Sequence, residues 1–150
     1  MKQSWPEAIA FTFNAEGYHS ASSWDPGGDT ILGISRTFFP REHDLISQMT
    51  RADAQAYAEA FYHVHFWTPM GCDDMTHPFD VVCFDSSVNP GPSWMKGILA
   101  TGVKDWRNVL TLREQHYEAR AAEEKAKGQP YPLQGLLNRC TALREKYANT

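Results

Sequence analysis

The chain has 150 residues, 42% of them hydrophobic and 13% aromatic, and carries a formal net charge of −4 from 14 basic and 18 acidic side chains. That length and apolar content suit one folded domain with a real core and exclude a disordered chain. The acidic balance argues against nucleic-acid binding, which needs clustered Lys and Arg, and no apolar run approaches the roughly 18–20 residues that would insert in a membrane.

Ser4-Trp5-Pro6-Glu7 reads as the start of a first helix. Ser4 is placed to cap, Glu7 stands three residues on as in a capping box, and Pro6 fits a first turn. Ile9, Ala10 and Phe13 recur at helical spacing, and Gly17 ends the run. Glu16 therefore falls in the last turn, facing the negative end of the helix dipole. That position suits a proton donor better than a stabilising charge. Residues 18–35 are rich in Gly, Ser and Asp. Asp25-Pro26-Gly27-Gly28 is a turn signal, and residues 30–35 are expected to pair back as a strand, giving a small β-hairpin or irregular β-lobe.

Phe38-Phe39-Pro40 is a break, followed by a short helix over 41–48. Thr50-Arg51-Ala52-Asp53 is a second capping signal, and 54–67 reads as an amphipathic helix with Tyr57, Phe61 and Val64 on one face. Residues 68–78 read as a loop. The apolar stretch 79–88 predicts a central buried helix, which Asn89-Pro90-Gly91-Pro92 breaks. A short helix over 93–100 follows, then a long one over 103–127 with Val103, Trp106, Leu110, Arg113 and Tyr117 along one side. A last helix spans 133–147. The pattern is α+β, mostly helical, in one domain.

Glycoside hydrolysis needs a carboxylic acid to protonate the leaving oxygen, and a second group to stabilise the cation or activate water. Glu16 and Asp25 bracket the loop after the first helix and can face each other across a cleft. Thr30 is placed to hold water or orient a carboxylate. Each has a plainer reading: Glu16 as a solvated helix end, Asp25 as the cap of its Pro-Gly-Gly turn, Thr30 as a strand residue. Tyr18 and His19 adjoin Glu16 and suit either the faces of sugar rings or packing. Asp85 and Asn89 share a helix face at i, i+4; Asp85 reads as part of a polar core network and Asn89 as groove lining. Trp94 is a subsite candidate or a core residue. His63 and His65, at i, i+2, point to different sides of a helix, and no H-E-x-x-H is present, so neither a metal nor a cofactor is expected. The three cysteines are odd in number and widely spaced, and read as packed, reduced thiols.

Eight residues separate Glu16 from Asp25 and four separate Asp25 from Thr30, an order that resembles the phage-lysozyme arrangement with one residue fewer before the threonine. The fuller string E-G-Y…D-P-G-G-D-T-I-L-G-I-S more closely resembles the glycoside hydrolase 108 muramidases, whose pattern is roughly E-G-G-Y…D-P-G-G-x-T-N-x-G-I. Tyr62…Phe66-Trp67 follows in the same order. So do Phe84-Asp85-Ser86-Ser87-Val88-Asn89-Pro90-Gly91 (for F-D-x-x-V-N-x-G), Arg113…Tyr117, and Gly135-Leu136-Leu137-Asn138-Arg139 (for G-W-L-x-R). Three departures stand out: one residue is missing between Gly17 and Tyr18, Ile31 replaces the asparagine after the threonine, and Leu136 replaces the tryptophan. The C-terminal part lacks the wall-binding segment that many relatives carry.

The resemblance implies a lysozyme-like fold with a small N-terminal β-hairpin lobe and a helical lobe. It implies cleavage of the β-1,4 bond between N-acetylmuramic acid and N-acetylglucosamine, with peptidoglycan glycan strands as the partner. Its catalytic glutamate falls on Glu16, with Asp25 and Thr30 as catalytic candidates and Tyr18, His19, Asn89 and Trp94 as substrate-binding ones. A phage endolysin or prophage lysis protein is the expected setting. The first residues lack the features of a signal peptide, so the expectation is synthesis in the cytoplasm and release to the periplasmic wall through a separate holin-type pore. A lytic transglycosylase, a non-catalytic peptidoglycan-binding or tail-associated protein, and a zinc amidase or peptidase are the rival readings.

Overall fold

In a computed structural model of the chain, residues 3–21 and 28–150 are described. The first helix, α1 (Trp5–Glu16), ends at Gly17, whose φ of 71° needs a residue without Cβ. Its start differs from the expected capping box. Ser4 makes no side-chain cap; its hydroxyl donates instead to the buried carboxylate of Asp80, and Glu7 accepts from the Tyr147 hydroxyl. A charged acceptor buried across the core competes better for the Ser4 hydroxyl than a backbone N–H at a helix end.

The β-lobe is a three-stranded antiparallel sheet in the order β1 (His19–Ala21), β2 (Asp29–Ile31), β3 (Ile34–Ser35). The expected continuous strand over 30–35 is folded in two. Leu32 at φ 49° and Gly33 at φ 77° form a two-residue turn with both central residues left-handed, the geometry that matches the twist of a tight hairpin. Thr30 pairs with Ser20 and Ser35, whereas Ile31 pairs with His19 and Ile34. Alternation therefore puts Asp29 and Ile31 on one face of β2 and Thr30 on the other.

Helix α2 (Pro40–Ser47) leads to α3 (Arg51–Tyr62), which Thr50 caps by accepting from the Asp53 N–H at 3.2 Å. The run predicted to stay α-helical to 67 changes into a π-helical turn over His63–Trp67. Val64, expected to be buried beside Tyr57 and Phe61, is 62% exposed, because Ala54, Ala58, Phe61 and Tyr62 make the buried face of α3 and helical spacing turns position 64 away from it. The expected loop over 68–78 holds two short pieces, α4 (Thr68–Met70) and a 3₁₀ turn (Cys72–Asp74), because Pro69 is tolerated in a first turn.

Helix α5 (Phe79–Val88) is buried from Phe79 through Ser87 and forms the axis of the helical part. Around it stand α1, α6 (Pro92–Ala100) and α7 (Trp106–Ala126), with α8 (Leu133–Lys146) packed on α7. Asp105 caps α7 by accepting from the Arg107 N–H at 2.9 Å, so that helix starts later than its apolar pattern suggested. Trp5, Trp67 and Phe84 meet edge-on or tilted, with centroids 5.2–5.7 Å apart. Cys72, Cys83 and Cys140 are free thiols within this core. No described helix is long and apolar enough to cross a membrane.

Candidate active site

Glu16 is the last residue of α1, and its side chain is 22% exposed. On one side the β2–β3 turn presses on it: a Cβ added to Gly33 would lie 3.1 Å from Glu16 Cγ and 2.2 Å from the Tyr62 hydroxyl oxygen. Glycine is required there both by this close approach and by its positive φ. Tyr62 is buried and its hydroxyl donates to the Leu32 carbonyl at 2.8 Å, tying the turn to α3. Burial, reinforced by the nearby Glu16 charge, holds the Tyr62 phenol well above its usual range, so it stays a donor.

On the other side stands Arg139 of α8, donating from Nη1 to Glu16 Oε1 at 2.6 Å. The same guanidinium forks onto Asp85, from Nε to Oδ2 at 3.0 Å and from Nη2 to Oδ1 at 2.7 Å. Asp85 is fully buried; it also accepts from Arg113 Nη1 at 2.9 Å and from the Thr12 hydroxyl at 2.8 Å. Burial alone would raise this carboxyl, but the Arg139 and Arg113 charges, with the hydrogen bonds from Arg139 and Thr12, hold it far below the usual carboxylate range. Arg113 also donates from Nε to the Tyr117 hydroxyl at 2.9 Å, and that hydroxyl meets Asn89 Oδ1 at 2.8 Å. Burial pushes the Tyr117 phenol up to about 12, against the pull of the Arg113 guanidinium. Glu16 thus sits at the solvent-facing end of a polar chain running through α5, α7 and α8. The guanidinium at its carboxylate opposes the helix-end dipole that the sequence alone suggested.

A pocket of about 420 Å³ opens beside this pair, between α1 and α8. Its wall includes Phe11, Asn14, Glu16, Asn89, Gly135, Leu136, Asn138 and Arg139. Glu16 is the sole carboxylate among the described residues that line it.

The family model of Glycosyl hydrolase 108 matches residues 9–91, more than half of the chain. The chain belongs to the glycosyl hydrolase 108 family. It is thus a member of a glycoside hydrolase family, and the matched segment holds Glu16, Thr30, Asp85 and Asn89. Neither the curated proteins nor the solved structures contain a match.

Of the residues singled out in the sequence of this family member, Glu16 and Asn89 come together on the pocket wall. Asp25 lies outside the described residues. Thr30 is half-buried in β2, and Tyr18 lies under the Arg51 guanidinium, 4.3 Å from its ring centre. His19 is turned to Asp29, its Nε2 2.6 Å from Oδ1, and His43 of α2 takes the other oxygen at 2.7 Å. Trp94 packs on the core and against His116 at 5.6 Å between centroids. Thr30, Tyr18, His19 and Trp94 do not line the pocket beside Glu16. His63 meets the edge of Trp5 at 4.9 Å and His65 lies on Phe61 at 4.5 Å, so the two imidazoles pack on different rings. Among the described residues, no group of three or more His, Cys, Asp and Glu side chains is arranged so that it could hold a metal ion.

Sequence reasoning gave no role to Arg139, which reaches Glu16 from 123 residues away, nor to Asp29 and His43. The signal for Arg139 was present as the last residue of the G-L-L-N-R string. A guanidinium on the inner face of a helix needs a buried anion, and Asp85 was the one carboxylate already read as a core network.

Proposed function

We propose that this protein is a peptidoglycan hydrolase that cleaves the β-1,4 bond between N-acetylmuramic acid and N-acetylglucosamine, with Glu16 as the general acid. The observation that carries this reading is the setting of Glu16. It is a partly exposed carboxyl at a helix end, inside the family-matched segment, wedged between a glycine turn and a guanidinium and lining a pocket. Arg139 holds Oε1, which orients the carboxyl, and Oε2 has no hydrogen-bond partner among the described residues. In this reading Glu16 gives its proton to the bridging oxygen as the bond to the sugar carbon breaks, and water completes the hydrolysis. Asp25 and Thr30 remain the candidates for stabilising the cation and holding that water. A phage lysis role, with release through a holin-type pore, rests on the resemblance of the motifs.

Glu16, the lone carboxylate among the described residues of the pocket, also fits a lytic transglycosylase, in which the sugar's own hydroxyl attacks and no second carboxylate is needed. Purified walls digested with wild type and with Glu16→Gln separate the readings. Loss of roughly 10²–10⁴-fold in the release of new reducing ends, with an unchanged melting curve, is the expected result. Full activity in a folded Gln variant would remove Glu16 from the chemistry. Products ending in a 1,6-anhydro ring would select the transglycosylase, and free amino groups an amidase or peptidase.

A further inference from the structure

Among the described residues, four cations sit over aromatic rings. Three of them also pair with a carboxylate: Arg107 with Asp105 at 4.0 Å, Arg113 with Asp85 at 2.9 Å and Lys146 with Glu7 at 3.5 Å. Arg51, the first residue of α3, is the exception. Its guanidinium carbon lies 4.3 Å from the centre of the Tyr18 ring, and it has no acidic partner among the described residues. Stacking covers one face of the planar guanidinium and leaves the N–H groups at its edge to donate. The fold thus holds a positive charge in place without neutralising it.

The surface beside Arg51 belongs to the β-lobe. Tyr18 continues β1, because its carbonyl accepts from the Leu32 N–H, and alternation puts Tyr18 and Ser20 on one face. Ser20 pairs with Thr30, and Thr30 with Ser35, which brings three hydroxyls abreast on that face. Ser35 is buried and accepts from the Thr37 and Phe38 N–H groups, both at 3.1 Å. The Ser20 and Thr30 side chains are half-buried, and their hydroxyls have no hydrogen-bond partner among the described residues. The opposite face carries Asp29 and is held to α2 by His43. Tyr18 follows Glu16 by two residues, so this hydroxyl face starts within roughly 7 Å of the Glu16 backbone, on its β-lobe side.

We propose that Arg51, seated on Tyr18, is a specificity-determining residue that binds a carboxylate of the peptide carried by the muramic acid ring. The Ser20 and Thr30 hydroxyls hydrogen-bond the same peptide. The inference rests on the glycan-hydrolase reading and narrows its substrate to strands that still bear their peptides. A guanidinium forks onto any oxyanion, carboxylate or phosphate. The peptide carboxylate is the one tethered, through the lactyl ether, to the ring whose bond Glu16 cleaves. A polymer of N-acetylglucosamine alone offers no anion to this site.

The test uses the full chain and two probes that need no cleavage, titrated at pH 7. One is N-acetylmuramyl-L-alanyl-D-isoglutamine, with one free carboxylate, and the other is its amide, with none. Wild type is expected to bind the acid about threefold tighter than the amide, and Arg51→Gln to bind the two equally. Arg41→Gln, which removes an exposed charge from α2, is expected to keep the wild-type margin. Tyr18→Leu removes the seat and is expected to shrink the margin, with no further loss in the double variant. On peptide-bearing walls Arg51→Gln is expected to raise KM about threefold at unchanged kcat. No margin in wild type, an Arg41→Gln loss equal to that of Arg51→Gln, or a fall in kcat at unchanged KM overturns the proposal. So does inorganic phosphate that binds wild type more tightly than the acid at matched ionic strength, which assigns the cation to phosphate polymers instead. Walls that wild type fails to cut refute the hydrolase reading by a different measurement, and the margin between acid and amide still decides the anion site.

Discussion

Asp85→Asn probes the network that holds Glu16. The carboxylate is fully buried and accepts two hydrogen bonds from Arg139, one from Arg113 and one from Thr12. Asparagine keeps the shape and one acceptor oxygen but removes the charge, leaving two guanidiniums in the interior without their shared counter-ion. Breaking a buried ion pair from one side costs about 3–5 kcal/mol. For a chain of this size that corresponds to a fall in Tm of roughly 6–20 °C. Thr12→Val removes only a neutral donor and is expected to cost about 0.5–1.5 kcal/mol. Urea titrations of the three proteins at neutral pH give the comparison, with m-values checking that the unfolded state is unchanged. The pH dependence adds a sign. A carboxyl whose folded value is depressed stabilises the fold above its unfolded value, about 3.9, and loses that contribution as pH falls through the folded one. The gap between wild type and Asp85→Asn should therefore be full at pH 5–7 and shrink below about pH 4. A cost under 1 kcal/mol at pH 7, or a gap that widens in acid, would refute the claim that Asp85 neutralises the two arginines.

Other perturbations test the parts around this network. Tyr62→Phe leaves the Leu32 carbonyl without its donor and is expected to cost about 1–3 kcal/mol, read from the same titrations. Gly33→Ala puts a Cβ 2.2 Å from the Tyr62 hydroxyl oxygen at a φ of 77°, so a larger loss of stability and of wall hydrolysis is expected. Because Tyr62→Phe removes the atom struck, the double variant should be less unstable than the two single costs predict; additive costs would place the clash elsewhere. Asp29→Asn removes the carboxylate between His19 and His43. The hydrogen bond from His19, then that from His43, outweigh burial and lower the Asp29 carboxyl. Its contribution to Tm should be present above about pH 4 and fade as pH falls further, a profile that scanning calorimetry of both proteins reads directly.

The helices were legible because their signals are local. Thr50 is a cap, Gly17 and the Asn89-Pro90-Gly91-Pro92 run are stops, and the apolar run from Phe79 places α5 at the centre. The mistakes arose where a distant partner outbid a local one. Ser4 left its helix end for Asp80, 76 residues away, and Glu7 left for Tyr147. The π-helical turn has no separate mark in an apolar run, since a periodicity of 3.6 and one extra residue differ only in the residues that follow. At the candidate site, the position of Glu16 at the end of α1 was readable from the capping and stop signals around it. Arg139, Gly33 and the orientation of Asn89 depend on contacts between elements far apart in the chain.

Those distant contacts change what the family-matched segment can do by itself. Residues 9–91 hold Glu16, Thr12, Asp85 and Asn89, but every cation that neutralises Asp85 lies beyond them, on α7 and α8. So does the phenol that fixes Asn89, and so does most of the pocket wall facing α1. A buried carboxylate without its guanidiniums either takes up a proton or opens the core to water. The last two helices are therefore as much a part of the candidate site as the segment that carries Glu16. They convert one partly exposed carboxyl at a helix end into a group with a fixed orientation and a recess at its side, which is what positioning a sugar for protonation requires.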